Sequence, residues 1–504
     1  MSENRRLQTA LTCAGYVLVA VVVCLALGRL AAHLTATQLL DQAQQQLARV
    51  QADQPLWQWQ LRKPRDLIAG RAFGNARVAS DDGSLRISSN DGAPFELGLP
   101  IAWSLDLRHW PILQLQLQSS APGKLGLVWQ GSQAPACVVL VAHALTPDTN
   151  SLRIDLRDLS WTGAEQAACA KPGIAQMLRL RVLLPRGASL RIASAALLTT
   201  EPMPHPQDAA INLPQDATPR DIERVSERAQ GWPMPLFRLP AGISAEAMLA
   251  LRDRLRAQWP AALIVPAGTT PQAEQASSAP PTTAWFGCIV YLLALLWLAL
   301  RPVQSPLRPW IEIAGCLLGP GWLIMGLNWG LRPAPLGLLA FAGGLAYALA
   351  IERRHLPRLW RWPEAGSHWL WPLAMLPLAM GLVLVFGHTL HPLPAGHVIA
   401  YFAWAWLQQW LMLVVLQHRF EQIVHRPAWA IVPVAIVFAL LHTPNGTLMQ
   451  LCLLSELGWA WCFLRSRSVL PIALAHALCA LLVEAALAGG PLLRSLEVSA
   501  RFYL

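Results

Sequence analysis

Apolar residues run unbroken in two parts of this chain and alternate with polar ones in the part between. The first apolar run is Leu11 to Ala32, after Arg5 and Arg6. About 20 apolar residues suffice to cross a bilayer. Arg29 near its outer end has a side chain long enough to reach the interface. The run lacks a clean small-x-small cleavage site, so it reads as an uncleaved anchor over 1–33. Eight further apolar spans are expected at about Ala284–Leu300, Trp310–Gly330, Ala334–Ile351, His368–Phe386, Val398–Leu416, Ala428–Leu441, Thr447–Leu464 and Val469–Leu487.

The interval between follows other periods. Residues 34–64 read as a polar-rich juxtamembrane helix, with Leu39, Leu40, Leu47 and Val50 at roughly helical spacing. Over 65–200 short runs such as ILQLQLQSS, KLGLVWQG, SLRIDLRDL and LRLRVLLP alternate with period two between Gly, Pro, Asn and Asp. That pattern predicts a β-sandwich. Residues 201–267 mix amphipathic helical and short extended segments and predict a small α/β unit. The stretch 268–283 has a Pro/Ser/Thr/Ala composition without periodicity and reads as a linker. The fold class is thus an α-helical multi-pass membrane domain over 284–504, preceded by an anchor helix, a β-sandwich and a small α/β unit.

Loop charge sets the orientation. Arg301 and Arg308, then Arg353, Arg354, Arg358 and Arg361, then Arg419 and Arg426, then Arg465 and Arg467 fall in alternate loops, on the side of Arg5 and Arg6. The intervening loops carry little beyond Arg332. The positive-inside rule puts the N-terminus in the cytoplasm and 34–283 outside an inner cell membrane.

Composition agrees: 54% of residues are hydrophobic and 13% charged, so much of the chain belongs in lipid. Loop arginines explain the net charge of +10, and nucleic acid is not expected as a partner. Seven of the nine cysteines lie in apolar spans; the other two, Cys137 and Cys169, fall in the external interval, where they either pair or stay as buried thiols. Trp103, Trp110, Trp129 and Trp161 either form a sugar platform, making a glycan a partner of the sandwich, or pack in its core and rim. In shape class the sandwich resembles jelly-roll carbohydrate-binding modules, but no motif specifies a ligand.

Ionisable residues inside a bilayer are costly and mark candidate sites. Here they are Glu312, Glu456, Glu484, His442 and His476, joined by the polar pair Gln408-Gln409. Glu312 and Glu484 lie near span ends, where they can reach the interface. Gln409, Glu456 and His476 each lie about 14 Å from a helix end, and His442 about 20 Å. Four helices thus bring polar groups to broadly similar depth.

At this depth the chain resembles the CAAX-protease and bacteriocin-processing (CPBP) family of intramembrane endopeptidases, over about 398–488. That family shares EExxxR, FxxxH and HxxxN-like motifs. This chain has Gln408-Gln409 through Leu413 at the first, Phe438 and His442 at the second, and His476 through Ala480 at the third. The resemblance implies a glutamate that activates water and histidines that bind or polarise a carbonyl. Both glutamates are glutamines here, the arginine is Leu413 and the asparagine Ala480. An amide cannot take a proton from water. Two readings follow: a silent relative that binds membrane-protein or peptide segments or scaffolds an assembly, and an active endopeptidase in which Glu456, or His442 and His476, carry the chemistry. In the second, Glu456 serves as base, or a divalent metal sits on His442 and His476 with Gln408 or Glu456 as third ligand.

Overall fold

The computed structural model describes the whole chain except Met1, 133–134, 164–166, Glu201, 207–209, Thr218, 274–280, 327–334, 354–360, His425 and Pro491. The expected linker 268–283, the ends of the expected spans Trp310–Gly330 and Ala334–Ile351, and Arg332, Arg354 and Arg358 therefore lie partly or wholly outside the described residues. The chain divides into two units: Thr37–Gly242 with Ala250–Ala276, and Met1–Ala36 with Ile243–Leu249 and Ser277–Leu504.

One continuous helix, α1 (Ser2–Gln51), covers the expected anchor and most of the juxtamembrane segment. It stops before the expected 64. Asp53 adopts a positive φ of 50°, and Pro55 cannot continue a helix. The next residues, Gln58–Gln60, form β1 and pair with a strand of the sandwich.

The first-named unit is built on two antiparallel sheets. Its strands are β2 (Ala76–Asp81), β3 (Ser84–Ser89), β4 (Phe95–Gly98), β5 (Leu105–Asp106), β6 (Ile112–Ser119), β7 (Gly123–Gln130), β8 (Cys137–Leu145), β9 (Ser151–Asp155), β10 (Ile174–Ala175), β11 (Met177–Leu183) and β12 (Ser189–Leu198). One sheet runs β2-β3-β12-β6-β9 with β1 beside β12; the other runs β4-β11-β7-β8. Their inward rows, among them Leu85, Leu97, Leu115, Leu127, Leu180 and Ile192, close one core. Burying each such side chain contributes about 1.5–3 kcal/mol. The β2–β3 hairpin, not separately anticipated, turns on Asp82-Gly83, both with positive φ, the two-residue signal of a tight hairpin.

Cys137 and Cys169 are disulfide-bonded. Trp110, Trp129 and Trp161 are buried in the core, so they do not form a sugar platform; Trp103 is partly buried, with Arg256 stacked 5.0 Å over its ring. Asp106 is buried at the end of β5 and accepts from His109 Nδ1 at 2.7 Å and Arg108 Nε at 3.3 Å. Three short parallel strands, β13 (Ile211–Asn212), β14 (Leu236–Arg238) and β15 (Leu263–Val265), alternate with α2 (Pro219–Arg228) and α3 (Ala245–Gln258). Leu236, Leu263 and Val265 join the sandwich core.

The second unit is a helix bundle. After α4 (Pro281–Leu300) come α5 (Arg308–Gly321) with a π-helical turn Trp322–Gly326, α6 (Pro335–Glu352), α7 (Ser367–Leu373), α8 (Met375–Phe386), α9 (Ala395–Gln409), a π-helical stretch Trp410–Gln417 continuing into α10 (His418–Ile423), α11 (Ile431–Leu440), α12 (Gly446–Ser466) and α13 (Leu470–Ala486). Among the described residues six helices are long and apolar enough to cross a membrane; two shorter apolar helices, Pro427–Leu440 and Leu470–Ala486, complete the core of the bundle. The first half of α1 packs on this bundle: Tyr16 stacks on Trp429 at 4.8 Å, and Gln450 Nε2 donates to the Cys24 carbonyl at 3.0 Å.

Two charges expected at the interface are inside instead. Arg419, read from sequence as a loop cation, is buried in α10, and Glu312 is buried in α5. Arg419 Nε donates to Glu312 Oε2 at 2.9 Å and Nη1 to Glu352, while Arg308 Nε donates to Glu312 Oε1 at 2.7 Å. Mutual neutralisation, rather than contact with water, makes their burial tolerable.

Candidate functional site

The site is organised by the end of α9. Gln409 is its last α-helical residue, and the following eight residues are π-helical and all buried. Such wide turns insert an extra residue and rotate the side chains around them, often at functional sites. Here Gln409 is turned fully inward, while its neighbour Gln408 lines a cavity of about 1310 Å³.

Gln409 bridges two other helices. Its Nε2 lies 2.9 Å from Glu456 Oε2 on α12 and 3.2 Å from His476 Nδ1 on α13. Glu456 is wholly buried and is not among the groups lining the cavity. Its Oε1, and Gln409 Oε1, have no hydrogen-bond partner among the described residues. His476 lines the cavity, wedged between Trp459 at 5.1 Å and Phe438 at 5.6 Å.

His442 reaches the same cavity differently. It follows α11, in the tight turn that leads through Asn445 into α12, so it sits at a helix end rather than deep within a span. Its Nδ1 lies 2.7 Å from the Phe438 carbonyl, and its ring is 4.9 Å from the Phe438 ring. Asn445 caps α12 by accepting from Leu448 N at 3.2 Å. Phe438 therefore touches both imidazoles, which explains physically why an aromatic stands four residues before the histidine.

These contacts assign the neutral rings. A carbonyl only accepts, so His442 Nδ1 carries the proton and Nε2 keeps its lone pair. With Gln409 Nε2 donating, as it does to a carboxylate, His476 Nδ1 accepts and its proton sits on Nε2. One ring is then an acceptor and the other a donor at its remaining nitrogen.

The residues do not compose a metal centre. Among the described residues no group of three or more His, Cys, Asp and Glu is placed to hold a metal. Glu456, the carboxylate offered as third ligand, is met by the Gln409 amide instead. The divalent-metal expectation at His442 and His476 thus finds no third carboxylate ligand free among the described residues.

Tyr401, His397 and Glu484 were not grouped with the site from sequence. His397 Nε2 meets Glu484 Oε2 at 2.9 Å on the cavity wall, and Tyr401 lies edge-on to His476 at 6.4 Å. His397, Tyr401 and Gln408 follow one another by four and seven residues on α9, the spacing of a single helix face. That stripe was the available signal. Glu484 thus hydrogen-bonds His397 with its own side chain still 28% exposed.

Comparisons with known proteins bear on the two parts separately. No curated protein matches the chain. Similar solved structures include a xylan-binding module, CBM86, from Roseburia intestinalis, at 12% identity and a TM-score of 0.20, covering 29% of this chain and 95% of that one. A point mutant of a family 29 carbohydrate-binding module, CBM29-2, matches at 8% identity and a TM-score of 0.19, covering 28% of this chain and 84% of that one. Residues 390–482 match the family model described as type II CAAX prenyl endopeptidase Rce1-like, a stretch that holds Gln408, Gln409, His442, Glu456 and His476. The membrane part of this chain therefore carries, over residues 390–482, an Rce1-like domain of the CPBP family.

Proposed function

We propose that this Rce1-like domain is a binding, non-hydrolysing member of its family, which takes an apolar segment of a membrane protein into the large cavity and holds one of its carbonyls against His476. The observation that carries this reading is the position of Gln409. It stands between the cavity-lining His476 and the one deep carboxylate nearby, Glu456, and closes that carboxylate off. The two carboxylates that line the cavity, Glu484 and Glu497, are paired with His397 and Arg501. Water activation needs a group within hydrogen-bond reach that takes the proton. The glutamates that supply it in the family are amides here. His442 Nε2 has the lone pair, but its Nδ1 rests on a backbone carbonyl, a weaker stabiliser of the imidazolium that forms than a carboxylate.

The protein belongs in the inner cell membrane in this reading, with residues 34–283 outside, where the sandwich scaffolds or recognises a partner. The donor–acceptor pairing of the two imidazoles favours one competing reading, an active intramembrane endopeptidase with His442 as base and His476 polarising the carbonyl. The test uses the full chain in micelles with membrane-protein and prenylated peptide segments. Wild type is expected to retain a segment without cutting it, and His476→Ala to weaken retention. Cleavage by wild type that His442→Ala abolishes, at unchanged thermal stability, overturns the proposal.

A further inference from the structure

A second cavity, of about 410 Å³, lies where the C-terminal ends of α4 and α6 meet the N-terminal end of α5. Its walls divide by chemistry. Leu298, Ile311 and Ile351 are apolar; Gln304, Arg308, Glu312 and Arg353 are polar or charged. It belongs to the arginine-rich end of the bundle, away from the histidine site in sequence and lined by a different set of residues.

The charges at this cavity do not cancel. Arg308 donates to Glu312, but the other oxygen of Glu312 is held by Arg419, which also holds Glu352. Among the described residues two arginines and two carboxylates balance in that cluster. Arg353 is a further, exposed cation on the cavity wall, with no ion-pair partner among the described residues. Arg308 engages Glu312 through Nε, and its side chain is 51% exposed, which leaves its outer guanidinium face available.

A ligand that matches must bring negative charge, several acceptor oxygens and an apolar body. Guanidinium groups match phosphate oxygens in geometry and charge. Basic pockets between membrane helices take phospholipid headgroups for this reason. A soluble anion would gain nothing from Leu298 and Ile351. We propose that this cavity binds the headgroup of an anionic phospholipid, with its phosphate on Arg308 and Arg353 and the first carbons of an acyl chain against the apolar wall.

The test is a thermal melt of the full chain in non-ionic micelles, followed by tryptophan fluorescence. Phosphatidylglycerol, phosphatidylcholine of the same acyl chains, and inorganic phosphate are titrated separately. A saturable rise in Tm is expected with phosphatidylglycerol alone. Arg353→Ala should weaken its apparent affinity about fivefold, the worth of one basic side chain near an anionic lipid. Arg353→Lys should lose less, and Ile311→Trp, which fills the cavity, should remove the response. Arg353 is exposed and outside the buried cluster, so its variants keep the unliganded Tm of wild type. An equal rise with phosphatidylcholine, a rise with inorganic phosphate alone, or an unchanged response in Arg353→Ala overturns the proposal.

Discussion

Replacing Gln409 by glutamate, the residue type of the family motif, should destabilise this protein. Gln409 Nε2 sits 2.9 Å from Glu456 Oε2 in a wholly buried site. The substitution exchanges a donor for an acceptor and sets two carboxyls about 3 Å apart. Two charges at that distance repel by about 5 kcal/mol at an effective dielectric of about 20. The site has no cation in hydrogen-bond contact, only the His476 ring at 3.2 Å from Gln409 Nε2. The folded protein therefore holds the second carboxyl as the acid. Keeping a carboxyl of ordinary pKa near 4.3 protonated costs about 1.4 kcal/mol per pH unit, or about 4 kcal/mol at pH 7. The acid also has one donor where the amide has two, so one of the contacts to Glu456 and His476 is lost as well. The folded state binds the extra proton and the unfolded state does not, so relative stability falls as pH rises above about 4. Melts of wild type and Gln409→Glu in micelles between pH 4.5 and 7.5 should diverge steadily with pH. Adding Glu456→Gln restores a single carboxyl and should recover most of the loss. Equal stability of Gln409→Glu and wild type across that range would refute the geometry on which the site rests.

Three further outcomes follow from other parts of the molecule. Arg419→Met removes the buried cation that Glu312 and Glu352 share in the bundle and should cost about 3–5 kcal/mol in thermal or denaturant unfolding, largely recovered when both carboxylates are also made Gln; a loss under about 1 kcal/mol would mean water reaches the cluster. Burial alone would push the Asp106 carboxyl up, but the His109 and Arg108 contacts hold it below the ordinary carboxylate range. Its contribution is then complete above about pH 5 and lost as pH falls through the folded value, so Asp106→Asn should weaken hydrogen-exchange protection of the sandwich at pH 7, by a margin that shrinks as acid titrates the wild-type carboxylate. Reporter fusions after Arg65 and after Pro363 should read outside and inside respectively; the reverse at either site would refute the orientation drawn from loop arginines.

Length and periodicity determined the elements. A run of about 20 apolar residues has few alternatives to a membrane helix, because lipid offers its backbone no hydrogen bonds. Two-residue alternation between Gly, Pro and Asp leaves few alternatives to a strand with one buried face. Both rules are local, so the apolar helices from α4 to α13, though not the extension α10 or the break between α7 and α8, and most strands of the sandwich were legible as elements. So was the roster of deep polar residues. Partnership was not legible, because it joins positions far apart in sequence. Gln409 and Glu456 lie on α9 and α12, and Arg419 meets Glu352 from α6. Tertiary packing alone decided that Arg419 and Glu312 cancel inside the bundle instead of reaching solvent. It also decided that a π-helical stretch after Gln409 accompanies one glutamine in the cavity wall and its neighbour buried behind it. A sequence marks which groups are too polar to be left alone in an apolar medium; only the folded bundle determines which of them neutralise one another and which face the cavity.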